Sequence, residues 1–220
     1  MELKNKKIVF LGDSITEGVG VANPENRFVD RIAKQTSAIC KNFGISGTRI
    51  AKQSTPSPTS SWDKDFISRV PDLDDDADIV VIFGGTNDWG HGDAKLGSFD
   101  NRDPYTFYGG LHTLYTMLIE KYPHSQIVVL TPLHRNNELN TVVREDMPQS
   151  NKPFVLKDYV EIIRQMAEYY SIPVLDMYKT SGIQPAIPVI TETYIPDGLH
   201  PNDAGHKLLA NRIIKFLETL

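Results

Sequence analysis

The chain has 220 residues, of which 40% are hydrophobic and 23% are charged, and its formal net charge at pH 7 is −5. This composition is typical of a folded globular protein and not of a disordered one. The net charge is negative, and no basic patch stands out that would bind a phosphate backbone, so we expect no nucleic-acid partner. The length suits a single domain, which we assign to residues 1–220.

The cysteine content and the apolar segments indicate the cellular compartment in which we expect the protein. The one cysteine, Cys40, rules out an internal disulfide, and its apolar surroundings favour a core position. The amino-terminal stretch MELKNKKIVF lacks an apolar segment of signal-peptide length, and no segment approaches the ~18 apolar residues of a membrane span. We therefore expect a cytoplasmic protein that does not insert into a membrane.

Short runs rich in β-branched residues recur along the chain and predict five strands. They are KIVFLG at 7–12, SAICKNFG at 37–44, DIVVIFGG at 78–85, QIVVLTP at 126–132 and IPVLDM at 172–177. The third and fourth runs are apolar without alternation, as expected for strands that are covered on both faces. An acidic run, Asp72 to Asp78, precedes the third strand. We interpret it as a solvated loop; a calcium site is the alternative, although the glycine turn of a calcium loop is missing.

Between the strands, apolar residues recur at three- and four-residue steps, which predicts helices. These segments are 24–34, 104–121, 154–170 and 202–217. Strands that alternate with helices predict a parallel sheet in a three-layer α/β/α sandwich with right-handed crossovers. We expect five strands in the flavodoxin-like order 2-1-3-4-5. In such sheets, functional sites form at the carboxyl ends of the strands.

The motif LGDSITEG places Ser14 where the first predicted strand turns into a helix. This position exposes the hydroxyl group and directs backbone N–H groups toward any anion that forms beside it. The alternative is that Asp13 or Ser14 only caps the helix, as aspartate and serine often do.

Two glycine-rich motifs follow the second and third predicted strands. In NFGISGTRI, at 42–50, Gly44 and Gly47 allow a ligand to approach the main chain closely. In GGTNDWG, at 84–90, the side-chain amide of Asn87 can donate a hydrogen bond to a developing oxyanion. The alternative for both motifs is an ordinary turn, in which glycine and asparagine are common.

The stretch DGLHP, at 197–201, puts an acid three residues before a histidine. A serine hydroxyl is a poor nucleophile at neutral pH and needs a base within hydrogen-bond reach. Histidine titrates in the range that suits this role, and Asp197 can orient the ring of His200. Among the six histidines we select His200, because Asp197 precedes it at a spacing that suits a catalytic triad. The alternative is that Pro201 starts a helix and that His200 is incidental.

Together, and in the order GDSIT, NFGISG, GGTND and DGLHP, the four motifs resemble those of the SGNH hydrolases, also called the GDSL esterase/lipase family. The resemblance extends from the first predicted strand to the final helix. It implies a flavodoxin-like sandwich and a carboxylic ester hydrolase that acts on a small-molecule acyl ester without a cofactor or metal. By position, Ser14 matches the nucleophile and an oxyanion donor, and Gly47 and Asn87 match the other oxyanion donors. His200 matches the general base, and Asp197 matches the acid that orients it.

The substrate is indicated by weaker features. Mean hydropathy is −0.30, and we find no long apolar lid segment, which argues against a triglyceride lipase. Aromatic and polar residues mix in the rim loops 89–108 and 131–140, so we expect a short-acyl esterase and favour an O-acetylated carbohydrate. The candidate substrate contacts are Asp13, Asp88, Trp89 and His134, and His91 also lies in one of these loops.

Other functions are compatible with the same sequence. Lysophospholipase or thioesterase activity would use the same catalytic residues. A non-catalytic module that holds a small anion beside Ser14 would not need Asp197 and His200. A flavodoxin-type cofactor binder would need a phosphate loop, and no such motif is present. The oligomeric state is left open.

Overall fold

The computed structural model describes residues 1–143 and 145–220. The strands are β1 Lys7–Gly12, β2 Ile39–Gly44, β3 Ile79–Phe83, β4 Gln126–Leu130 and β5 Val174–Leu175. The α-helices are α1 Ser14–Glu17, α2 Phe28–Thr36, α3 Phe66–Arg69, α4 Thr86–Gly90, α5 Phe107–Lys121, α6 Leu156–Tyr169, α7 Met177–Thr180, α8 Pro188–Tyr194 and α9 Asp203–Glu218. Within the described residues, none of these helices combines the length and the apolar composition that crossing a membrane requires.

The sheet is parallel throughout and has the strand order β2-β1-β3-β4-β5. This confirms the predicted fold class and the predicted order. The register pairs Gly12 with Gly44 on one side and with Phe83 on the other. The carboxyl ends of β1, β2 and β3 therefore lie side by side, and the loops that follow them start at neighbouring points.

Apolar layers cover both faces of the sheet because alternate side chains of each strand point to opposite sides. Val9 and Leu11 of β1 pack in the layer that contains α5 and α6. Ile8 and Phe10 pack in the layer that contains α2 and α9. Every residue of β3 is buried, which explains why its sequence shows no polar alternation.

The structure adds the short helices α3, α4, α7 and α8 to the predicted elements and shortens others, most clearly at two places. The helix predicted at 24–34 begins only at Phe28, because Arg27 has an extended backbone and separates α2 from a 3₁₀ turn at Pro24–Asn26. The strand predicted at 172–177 is reduced to Val174–Leu175, since the chain enters α7 directly afterwards. β5 is thus a short strand at the edge of the sheet.

A buried histidine joins the two helices of the second layer. His206 of α9 is fully buried, and its Nδ1 accepts a hydrogen bond of 3.0 Å from the backbone N–H of Phe28. The two rings are stacked, with centroids 5.8 Å apart. Burial lowers the pKa of His206 to about 4, so the ring is neutral at pH 7, as its role as an acceptor requires.

We expect His206 to make the fold less stable in acid. The pKa of an unperturbed histidine is 6.5, and that of His206 in the folded protein is about 4. Between these values the unfolded state binds one more proton than the folded state, so the free energy of unfolding falls as the pH decreases. In His206→Asn, whose side-chain oxygen can still accept from Phe28, the decrease between pH 7 and pH 5 should be smaller by about 2 kcal/mol.

Urea unfolding of both proteins at the two pH values measures this difference. The carboxylates titrate in both proteins, so their contribution to the pH dependence cancels in the comparison. An identical decrease in the two proteins would contradict the prediction.

Candidate active site

The loop after β1 and the segment before α9 bring a serine, a histidine and an aspartate into one hydrogen-bonded chain. Nε2 of His200 lies 3.0 Å from Oγ of Ser14, although the two residues are 186 positions apart in the sequence. Nδ1 of His200 lies 2.7 Å from Oδ2 of Asp197. The other carboxylate oxygen of Asp197 accepts the backbone N–H groups of Leu199 and His200, at 2.8 and 2.6 Å. This tight turn fixes the carboxylate against the imidazole.

The environment of Asp197 determines which atoms of these three hydrogen-bonded residues carry a proton. Partial burial alone would raise the pKa of Asp197, but the hydrogen bonds from His200 and Leu199 outweigh it and hold the pKa below its usual value. The carboxylate is therefore ionised at neutral pH and holds the ring proton on Nδ1 of His200. Nε2 can then accept the hydroxyl proton of Ser14.

Asp13, the residue before Ser14, fixes the start of α1. Its side chain is the N-cap of α1 and accepts a hydrogen bond of 3.0 Å from the backbone N–H of Ile15. Asp13 is only 2% exposed, and burial raises its pKa to about 7, against the opposing effects of that N–H and of Arg69. Of the two roles considered for Asp13, the structure therefore supports the helix cap and not a substrate contact.

Gly47 and Asn87 lie in the same cleft as Ser14 and His200. Gly47 has a φ of +74°, and its N–H has no acceptor among the residues that the structure describes. A Cβ at this position would lie 2.1 Å from Cδ1 of Trp62, so a larger residue does not fit. The side-chain nitrogen of Asn87 donates to the Thr48 carbonyl at 3.0 Å, which leaves its second N–H available to a ligand.

The Gly47 loop, residues 44–51, is held in place by acidic side chains. Asp88 is buried, and its two carboxylate oxygens accept the backbone N–H groups of Ile50 and Ala51, each at 2.9 Å. Glu17 of α1 accepts a third N–H of the loop at 2.6 Å. Asp88, which the motif made a candidate substrate contact, is thus a clamp on the Gly47 loop, because both of its oxygens are occupied by backbone donors.

The family model that describes GDSL-like lipases and acylhydrolases matches residues 10–208. The chain belongs to this family. Membership makes it an ester hydrolase, and the resemblance inferred from the four motifs is confirmed.

Solved structures share the fold of this GDSL hydrolase over nearly its whole length. A protein from Lactobacillus plantarum is 30% identical, with a TM-score of 0.81 over 98% of each chain. The lipase/acylhydrolase from Enterococcus faecalis is 24% identical, with a TM-score of 0.65 over 97% of this chain and 96% of that one. A member of the lipolytic G-D-S-L family from Veillonella parvula is 16% identical, with a TM-score of 0.60 over 98% and 100%. The last two similarities show the fold alone. No curated protein sequence matches the chain.

Trp89 and His134, the other two candidate substrate contacts of this GDSL hydrolase, are not among the residues that line the cleft. Trp89 is 5% exposed, and its indole N–H donates to the carbonyl of Phe154 at 3.2 Å. Nδ1 of His134 lies 2.6 Å from Glu138, and its ring packs against that of Tyr178, with centroids 3.8 Å apart and the planes tilted by 35°. The sequence places both residues in rim loops, but Trp89 belongs to α4 in the structure. The direction of a side chain at the rim depends on the contacts of the folded chain.

The cleft of the hydrolase has a volume of about 320 Å³. Besides the four candidate catalytic and oxyanion residues, its described walls include Trp62, His91, Arg135, Val19 and Leu199. Trp62 and His91 form one wall, with ring centroids 4.5 Å apart. The segment around Trp62 has no motif, so the sequence contains no local signal for this wall. In the part of the chain that the structure describes, no three histidine, cysteine or carboxylate groups are arranged to hold a metal ion.

Replacing Gly47 by alanine should lower kcat for p-nitrophenyl acetate by about 100-fold or more, the cost of disturbing one oxyanion donor. The new Cβ would meet the ring of Trp62 at 2.1 Å, and the φ of +74° strains any residue that has a side chain. The loop must then move, and the N–H of residue 47 moves with it.

The double variant Gly47→Ala/Trp62→Ala separates the two effects. Removal of the ring relieves the steric conflict but not the backbone strain, so part of the lost kcat should return. A kcat unchanged from wild type in Gly47→Ala would show that the position of this N–H does not matter for the reaction.

Proposed function

We propose that this hydrolase is a serine esterase that cleaves short-acyl esters through an acyl-enzyme. The observation that carries the proposal is the hydrogen-bonded chain from Asp197 through His200 to Ser14. Because the Nδ1 proton of His200 is directed at Asp197, Nε2 can take the hydroxyl proton as Oγ of Ser14 attacks the ester carbonyl.

The negative charge of the tetrahedral intermediate is stabilised by donors around Ser14. These are the backbone N–H groups of Ser14 and Gly47 and the side-chain amide of Asn87. The Gly47 N–H and one Asn87 N–H have no acceptor among the described residues, which supports this role. His200 then gives its proton to the leaving alcohol. In the second half of the reaction, His200 takes a proton from water, and the hydroxide releases the acid from Ser14.

The size and lining of the cleft support a short acyl group. Its volume of about 320 Å³ lies at the lower end of the roughly 300–1,000 Å³ that is usual for ligand sites. The lining combines the apolar side chains of Val19, Trp62 and Leu199 with histidine, arginine and serine. We further propose an O-acetylated carbohydrate as the substrate class, because Trp62 offers an aromatic face beside hydrogen-bonding groups.

Removal of the proposed catalytic groups should have graded effects on turnover of p-nitrophenyl acetate. Ser14→Ala and His200→Ala should leave only traces, because the nucleophile or the base is missing. Asn87→Ala should lower kcat by about 10²–10³-fold, as the loss of an oxyanion donor does. Ser98→Ala and His124→Ala are matched controls, since both residues are exposed outside the cleft. Wild-type turnover by Ser14→Ala would refute the mechanism.

A panel of esters tests the proposed substrate class. The acetyl, butyryl and octanoyl esters of p-nitrophenol, and acetylated mono- and oligosaccharides, should be compared by kcat/KM. We expect the acetyl esters to be preferred, because a cleft of about 320 Å³ leaves little room for an eight-carbon chain beside the rest of the substrate. A clear preference for the octanoyl ester would rule out the acetylesterase and favour a lysophospholipase or thioesterase.

A further inference from the structure

Arg135 places a positive charge in the cleft beside the proposed nucleophile. It lines the cleft together with Ser14 and His200. Its guanidinium lies over the ring of Trp89, 4.9 Å from the centroid, and Nη1 donates to Oγ1 of Thr86 at 3.0 Å and to the Thr86 carbonyl at 3.4 Å. These contacts fix the guanidinium against α4 and prevent it from extending into solvent.

The described residues leave most donors of this guanidinium without a partner. None of their carboxylates forms an ion pair with Arg135, whereas Arg49 and Arg164 are both ion-paired. Nε of Arg135 is buried without a hydrogen-bond partner, and Nη2 has no acceptor in the described part of the chain. Partial burial of an unpaired cation costs stability, and a substrate anion that pairs with it would offset this cost.

The charge of Arg135 persists at neutral pH. Burial lowers its pKa to about 10, although Asp13, Asp197 and Glu138 act in the opposite direction. These three carboxylates lie beyond ion-pairing distance, and each opposes further negative charge near the site. The local field therefore suits a singly charged carboxylate better than a dianion such as a phosphate monoester.

Arg135 is also held at a defined position relative to the proposed base. Its backbone N–H donates to Glu138 at 3.1 Å. The next residue, Asn136, donates its N–H to the carbonyl of Gly198 at 2.8 Å, which ties this loop to the segment between Asp197 and His200. An anion bound by Arg135 would thus be at a fixed distance from the reacting ester.

We propose that Arg135 determines specificity by binding a carboxylate of the substrate, so that the preferred esters carry a carboxylate close to the scissile bond. The proposal rests on the proposed esterase function and refines its substrate class to acidic esters. Arg135 would bind the anion through charge-assisted hydrogen bonds, which neutral esters of the same size do not form.

Two pairs of esters of matched size show on which side of the ester the carboxylate lies. Monoethyl succinate carries it on the acyl side, and ethyl levulinate is its neutral counterpart. Acetoxyacetate carries it on the alcohol side, and acetoxyacetone is its neutral counterpart. Measured by pH-stat titration at neutral pH, kcat/KM of the wild type should favour the anionic member of one pair by about 10- to 100-fold, the range of a charge-assisted hydrogen bond.

Substitutions of Arg135 test whether this preference depends on the guanidinium. In Arg135→Met the preference should disappear, and in Arg135→Lys, which keeps the charge but not the planar fork, it should be intermediate. Lys34→Met is the control, because it removes one positive charge from an exposed position near the end of α2, and it should keep the wild-type preference. The proposal is overturned if the wild type prefers neither anionic ester, or if Arg135→Met retains the preference.

Binding to Ser14→Ala distinguishes a failure of this proposal from a failure of the esterase function. This variant cannot form an acyl-enzyme, so monoethyl succinate and acetoxyacetate can be titrated into it and followed by NMR chemical shifts. Binding of either anion that is lost in Ser14→Ala/Arg135→Met supports the carboxylate site, even if the wild type hydrolyses no ester. Hydrolysis of the neutral esters without such binding refutes the carboxylate site and leaves the esterase function standing.

Discussion

The hydrogen bond of 3.0 Å between Ser14 and His200 joins the end of the first strand to the segment before the last helix. It can form only if α9 starts at the carboxyl edge of the sheet. Asp203, the first residue of α9, is tied to that edge: its carboxylate accepts the backbone N–H of Ala22 and the side-chain amide of Asn26, each at 2.9 Å. The reactive contact is therefore produced by the fold of the whole chain, because neighbouring sequence cannot bring these two residues together.

Several polar residues of the motifs shape the backbone and do not react. Asp13 caps α1, and Asp88 clamps the Gly47 loop, although burial raises the pKa of both carboxyl groups. Each is retained in the interior because backbone N–H groups offset part of the desolvation cost. The motif GDS thus combines a cap with a nucleophile, and the motif GGTND combines an oxyanion donor with a clamp. Proximity in a motif does not imply a shared role.

The fold class could be predicted because parallel strands covered on both faces have unbroken apolar sequences, as β3 shows. The strand order does not follow from this pattern; the expected order is that of a flavodoxin-like sandwich, and the sheet has it. Ser14, Asp197 and His200 could be selected as candidates because acyl transfer needs a specific set of groups, which narrows the choice. The directions of loop side chains could not be predicted. Trp89 points inward, and Trp62, from a segment without a motif, forms a wall of the cleft. Such directions are set by long-range contacts that leave no periodic pattern.

Arg49, which lies in the Gly47 loop, makes one such set of long-range contacts. It is 1% exposed, and its Nη2 donates to the carbonyl of Trp62 at 3.1 Å and to Asp63 at 2.8 Å. Its Nη1 lies 3.2 Å from Nδ1 of His91, which must be the acceptor because a guanidinium only donates. One buried cation therefore holds the backbone of Trp62 and the ring of His91, the two residues of this wall. The hydrogen bond between Ser14 and His200 depends on other contacts, those of Asp203 at the start of α9, because Asp203 holds this helix against Ala22 and Asn26 at the carboxyl edge of the sheet.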